Sequence, residues 1–146
     1  MTKNLLFVLT GKNGCVILFG VKKHTAHWIE LAEYDLVTAK HLLKTKRYVY
    51  VVFMCHLAIE KLLKACITEF TEMFPPKIHE LDKLARLSNI EFPPEYATFV
   101  LELSAKGVPT RYPEDLKEYN HQIAQACLTN TREVAKWLEQ KLKSAT

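Results

Sequence analysis

No glycine or proline interrupts the 23 residues from Tyr48 to Phe70, YVYVVFMCHLAIEKLLKACITEF. That absence rules out a turn inside the stretch, and its length rules out a single strand, so it reads as one helix of about six turns. The chain also lacks a dense Lys/Arg cluster. Its longest basic runs are Lys22-Lys23 and Lys44-Thr45-Lys46-Arg47, within a net charge of +4 and a pI near 8.8. Proteins that hold DNA or RNA by electrostatics alone carry denser clusters, so both runs read first as solvated boundaries and second as phosphate contacts. Cysteine is sparse and scattered, at 15, 55, 66 and 127. Three of the four fall at apolar positions of helical patterns, as reduced core thiols of a cytoplasmic protein would, and not as a disulfide framework. There is no repeat, no low-complexity segment and no phosphate loop, because Gly11-Lys12-Asn13-Gly14-Cys15 lacks the required glycine and Lys-Ser/Thr spacing. A secretory signal is disfavoured, since that polar turn breaks the apolar region early, and no membrane association is expected.

What is present is helical periodicity. The first half of the 48–70 stretch is apolar on every side, which implies burial by several neighbours. His56, Glu60 and Lys64 then follow at steps of four on one stripe, with Lys61 beside it. The stripe reads either as a solvated strip or as part of a site. A preceding helix is expected from Thr25 to Lys44, with Trp28, Leu31, Ala32, Ala39, Leu42 and Leu43 on its apolar face and Asp35 on the same side, where a carboxylate needs a partner. Pro75-Pro76 enforces a stop, and a short helix over residues 79–87 follows. Pro93-Pro94 opens another helix at its first turn, ending near Ala105. Gly107 to Pro113 reads as a loop, and a last helix is expected from Glu114 to Lys143, with Leu116, Tyr119, Ile123, Cys127, Val134, Leu138 and Leu142 inward. The fold class is therefore all-α: an antiparallel up-and-down bundle of four to five helices over residues 25–146. Residues 1–24 form an extension in which Leu5 to Thr10 and Cys15 to Val21 suggest a short β-hairpin around Asn13-Gly14.

Four motifs stand in order: Trp28...Ala32...Asp35-Leu36...Ala39; Ala58-Ile59-Glu60-Lys61-Leu62-Leu63-Lys64-Ala65; Pro75-Pro76-Lys77-Ile78-His79-Glu80-Leu81; and Thr110-Arg111-Tyr112-Pro113 leading toward Trp137-Leu138. Together they resemble the HEPN domain, named for higher eukaryotes and prokaryotes nucleotide-binding, over about residues 26–142. The resemblance implies a helical bundle, commonly homodimeric, that binds nucleotide or RNA and is often encoded beside a minimal nucleotidyltransferase as a toxin–antitoxin type pair. Many members are metal-independent endoribonucleases marked by Arg, four to six residues, then His near the start of a late helix. There the His serves as base or acid on the ribose 2′-hydroxyl while the Arg holds phosphate. Here nine residues separate Arg111 from His121 and eight separate Arg47 from His56, so neither pair fits. Within a helix starting at Glu114, His121 would stand about two and a half turns from its beginning. Binding is thus favoured over catalysis, with Arg111 and His121 as the weak catalytic pair, and a non-catalytic helical dimerisation or interaction module is the third reading.

Arg111 has two readings: phosphate contact before a helix start, or a tie to Asp35 or Glu60 that fastens the loop. Tyr112 stacks on a base or fills the end of the core. Lys61, Lys64 and Glu60 form a small anionic-ligand site or satisfy one another, and His79 starts its helix or joins the site. Metal readings, from Glu118-x-x-His121 or from His24-x-x-His27 with Cys15, lack the further ligands they need. No cofactor is implied beyond a nucleotide ligand.

Overall fold

The unbroken 23-residue stretch forms one helix, α2 (Tyr48–Phe70), and the domain is built around it. The computed structural model describes residues 6–7, 17–18 and 21–145. α1 (Lys23–Lys44) lies along one side of α2, α6 (His121–Ser144) along another, and α3 (Leu81–Leu87), α4 (Pro94–Ala105) and α5 (Gly107–Arg111) cover the remaining faces. This enclosure buries Val49, Val51, Val52 and Cys55 in the first half of α2, as its all-round apolar surface requires.

The long helices alternate in direction. At the start of α1 the Lys22 amide and the Thr25 hydroxyl donate to Glu69 Oε2 at 3.0 and 2.7 Å, which places that start against the end of α2. α4 begins beside the far end of α6, with Tyr96 6.2 Å from the Trp137 ring, and ends with Lys106 Nζ 5.8 Å from the ring of Tyr119, just ahead of α6. His121, at the start of α6, packs edge-on against Tyr48 at the start of α2. α1 and α4 therefore run against α2 and α6, the up-and-down arrangement expected.

Among the described residues the α-helices number six, not four to five. The additional one is α5, a short turn of helix where the sequence suggested the loop Gly107 to Pro113. The last helix begins at His121 instead of Glu114. Asn120 Oδ1 accepts from the Ile123 amide at 2.9 Å, which caps the helix there. Asp115 caps a separate 3-10 turn, Leu116–Glu118, by accepting from the Lys117 amide. The later start goes with a turned apolar stripe: Ala124, Leu128, Thr131 and Ala135 are buried while Leu116 and Ile123 are exposed. α1 likewise buries its small residues Ala26, Ala32 and Ala39 with Ile29 and Leu36, and leaves Trp28, Leu31, Leu42 and Leu43 half-buried. Small side chains let the two long helices approach closely, so the bulky ones move to the flanks. α3 starts at Leu81, leaving His79 in the preceding link.

In the N-terminal extension, Leu6–Phe7 pairs antiparallel with Ile17–Leu18, Leu6 opposite Leu18. The Asn13-Gly14 turn lies outside the described residues.

The α1–α2 connection is a Schellman turn: the Arg47 amide bonds the Leu42 carbonyl and the Lys46 amide that of Leu43, with Lys46 at φ 61°. A side chain at that backbone angle costs about 1 kcal/mol relative to glycine. Lys46→Gly is expected to raise stability by about that amount in urea unfolding followed by circular dichroism, and a decrease would show that the lysine makes a compensating contact.

Candidate functional site

The charged stripe of α2 is not a solvated strip. His56, Glu60 and Lys64 are all buried, because α3, α5 and the 71–80 link close over that side of the helix. A buried carboxylate must be paired and hydrogen-bonded. Glu60 Oε1 accepts from Lys64 Nζ at 2.7 Å, and His79 Nδ1 lies 3.2 and 3.1 Å from its two oxygens. Lys64 Nζ also sits 5.7 Å from the centre of the Trp28 ring. One step around the helix, Lys61 donates to Asp35 of α1. Burial pushes the Asp35 carboxyl above its ordinary pKa even though Lys61 and its hydrogen bond pull the other way. Both lysines thus have carboxylate partners within the domain.

His56 has a different environment. Its side chain is 1 % exposed, and neither ring nitrogen has a hydrogen-bond partner; the nearest carboxylate oxygen, Glu60 Oε2, is 3.8 Å from Nδ1. Gly107, the first residue of α5, lies directly over the ring, so close that a β-carbon there would meet His56 Nε2 at 2.7 Å. Glycine is needed at 107 for this approach. Loss of hydration drives the His56 pKa down; Glu60 opposes this, and the charges of His79 and Arg111 add to it. The imidazole is therefore neutral near pH 7.

The close fit of Gly107 on His56 sets the position of Arg111, one turn later. The Arg111 guanidinium lies 5.5 Å from the centre of the Phe53 ring of α2. It is exposed, and among the described residues no carboxylate pairs with it; Asp35 and Glu60, the acids suggested as its structural partners, are held by Lys61, Lys64 and His79. Tyr112 is 72 % exposed, so it does not fill the end of the core. His121 is the first residue of α6, not a residue two and a half turns into a helix, and its ring packs 5.8 Å from Tyr48. Arg111 and His121 both rest on the first half of α2, while Lys61 and Lys64 lie farther along it. Two cavities nearby, about 320 Å³ between α4 and α6 and about 420 Å³ at the start of α1, are lined by other residues than Arg111, Lys61 and Lys64.

The HEPN domain model matches residues 25–141. The chain belongs to the HEPN domain family. Two solved structures share its fold. TT1696 from Thermus thermophilus superposes with a TM-score of 0.72 at 20 % identity, over 82 % of this chain and 99 % of that one. ST0689, an archaeal HEPN homologue, gives 0.66 at 22 %, over 83 % and 99 %. No curated protein matches in sequence.

Within this HEPN domain, sequence reasoning gave His56 only a place on the stripe and read Gly107 as the start of a loop. Neither residue carries a local signal of the contact between them, since they stand far apart in the chain. Because the folded pKa of His56 is lowered from 6.5, the unfolded chain takes up its proton first. Stability from this group is present in full above pH 6.5 and is lost as pH falls below it. Urea unfolding between about pH 7.5 and about pH 5 is expected to show that loss, and a His56→Gln variant a shallower one; equal slopes in the two proteins would remove His56 as the cause.

Proposed function

We propose that this HEPN domain is a nucleotide- or RNA-binding module whose contact with phosphate is made by Arg111, with Tyr112 stacking on a base. The observation that carries the reading is the state of Arg111: an exposed guanidinium, oriented by the Phe53 ring and without a carboxylate partner among the described residues. A planar cation held in this way is suited to bidentate phosphate contact. An exposed aromatic ring next to it in the chain suits the face of any base. His79, exposed on one side and bonded to Glu60 on the other, offers a second contact along the same side of α2. Lys61 and Lys64 add little net field, since Asp35 and Glu60 offset them, and their part in this reading is to hold α2 in place beneath Arg111.

The same proposal includes a minimal nucleotidyltransferase as partner, in a toxin–antitoxin type two-component system, and a homodimer in the cytoplasm. Its support is family membership, HEPN domains being commonly dimeric. Among the described residues no helix is long and apolar enough to cross a membrane.

A second reading, a metal-independent ribonuclease using Arg111 and His121, is favoured by one observation: Arg111 ends α5, His121 begins α6, and both pack on the first half of α2. The nine residues between them are more than the four to six of the family signature.

One pair of experiments separates these readings. Titration with ATP and with a short single-stranded RNA at two salt concentrations is expected to show salt-sensitive binding, about 10- to 100-fold weaker in Arg111→Ala, as for loss of one charge-assisted contact. Unchanged affinity in a folded variant would end the Arg111 assignment. Incubation of the parent protein with RNA in EDTA is expected to leave it intact; cleavage that disappears in His121→Ala would instead establish the second reading.

A further inference from the structure

Among the described histidines, His79 alone combines an exposed ring with a hydrogen bond to a buried carboxylate. Its side chain is 55 % exposed, and Nδ1 lies 3.2 and 3.1 Å from the two oxygens of Glu60. His27 also has an acid near it, Glu30 at 4.0 Å, but both side chains are more than half exposed and water screens the pair. His24, His41 and His121 are exposed and have no such partner among the described residues.

The contact fixes the state of the ring. Lys64 Nζ holds Glu60 Oε1 at 2.7 Å, so the carboxylate stays in place beneath the imidazole. A carboxylate only accepts; Nδ1 therefore carries the proton and donates it to Glu60, and in the neutral ring Nε2 keeps its lone pair. Among the described residues nothing bonds Nε2. An imidazole held in this way is a nucleophile, and a carboxylate withdrawn from water stabilises the positive charge that the ring gains when Nε2 forms a bond.

The surrounding charges suit an anionic electrophile. Lys64 shares Glu60 Oε1 with His79, and His79 and Arg111 both lie near enough to His56 for their charges to act on it. The exposed Arg111 guanidinium is a planar donor for phosphoryl oxygens. Of the acids on this side, Glu80 accepts from Lys83 at 2.7 Å and Asp35 from Lys61, so neither adds an unpaired negative charge.

We propose that His79 is a phosphoryl-acceptor site, its Nε2 taking the phosphoryl group of a small phosphoramidate, with Glu60 as the residue that positions the ring. Nε2 attacks phosphorus, a nitrogen–phosphorus bond forms, and the nitrogen–phosphorus bond of the donor breaks. The donor nitrogen, already protonated, leaves with the electron pair as a neutral amine. One such bond replaces another, so no oxidant or reductant is consumed. The ring becomes cationic, and Nδ1 keeps both its proton and its bond to Glu60. A phosphoramidate fits better than an acyl phosphate because its leaving group departs without building negative charge beside Glu60 and Glu80. Arg111 as a phosphate contact is shared with the reading above; the bond formed at His79 is not.

The test treats the full chain with potassium phosphoramidate at mildly alkaline pH and follows the tryptic peptide Ile78–Lys83, in which His79 is the only histidine, by mass spectrometry. His79 is expected to be modified about tenfold faster than His24, His27, His41 and His121 in the same molecule, with NMR placing the phosphorus on Nε2. The same protein unfolded in urea should lose that preference, a comparison that needs no variant to fold. Glu60→Gln, checked for its fold by circular dichroism, should slow the reaction at His79 about tenfold or more and yield some Nδ1 product, a change of position that lost packing alone would not produce. Modification of folded His79 no faster than that of the other exposed histidines, or phosphorus on Nδ1, would overturn the proposal. Phosphorylation of His79 in a protein that fails to bind ATP or RNA would uphold it while ending the phosphate-binding reading, and binding without phosphorylation would end this proposal alone.

Discussion

A carboxylate withdrawn from water in the middle of the longest helix of the core is the constraint on which the rest of the domain depends. Glu60 is acceptable there because Lys64, one turn along the same helix, and His79, from the link after it, both bond to it. The first partner comes with the helix itself, since residues four apart face each other. The second requires the chain beyond Phe70 to fold back over α2. Removing one partner of such a cluster leaves a buried charge unmatched, so the cluster holds the 71–80 link in one place. That link in turn delivers α3, α4 and α5 to their faces of α2.

The same helix carries an unsatisfied group of the opposite character. His56 is one turn before Glu60 and lies too far from it for a hydrogen bond, with the backbone of α5 laid against its ring. Packing takes the place of polar pairing here. The consequence reaches the surface, because α5 is only five residues long and its last residue is Arg111. Close backbone contact fixes one end of α5, and the Phe53 ring lies 5.5 Å from the guanidinium at the other.

Much of the architecture was legible from residue pattern. Uninterrupted helical propensity over 48–70, the basic turn at 45–47, the paired prolines and the motif order led to an up-and-down bundle and to its family. Two of the differences fall where two local signals compete. Glu114 and Asp115 resemble the acidic first turn of a helix, but Asn120 offers a side-chain cap, and the later cap prevailed. Gly107 to Pro113 read as a loop, yet the glycine gives room over His56 and Pro109 falls in the first turn of α5, where its missing amide hydrogen costs little.

By itself the sequence determined where the long helices lie, that the central one is buried, and which residue types reach the candidate site, because periodicity and helix breakers act over a few neighbours. Only the tertiary structure decided which charges cancel and which remain available. Lys61 and Lys64 look as accessible as Arg111 in the sequence, but Asp35 and Glu60 hold the two lysines, while α5 carries the arginine past both acids to the surface. Pairing depends on distances between segments far apart in the chain, and those distances are set by how the helices pack.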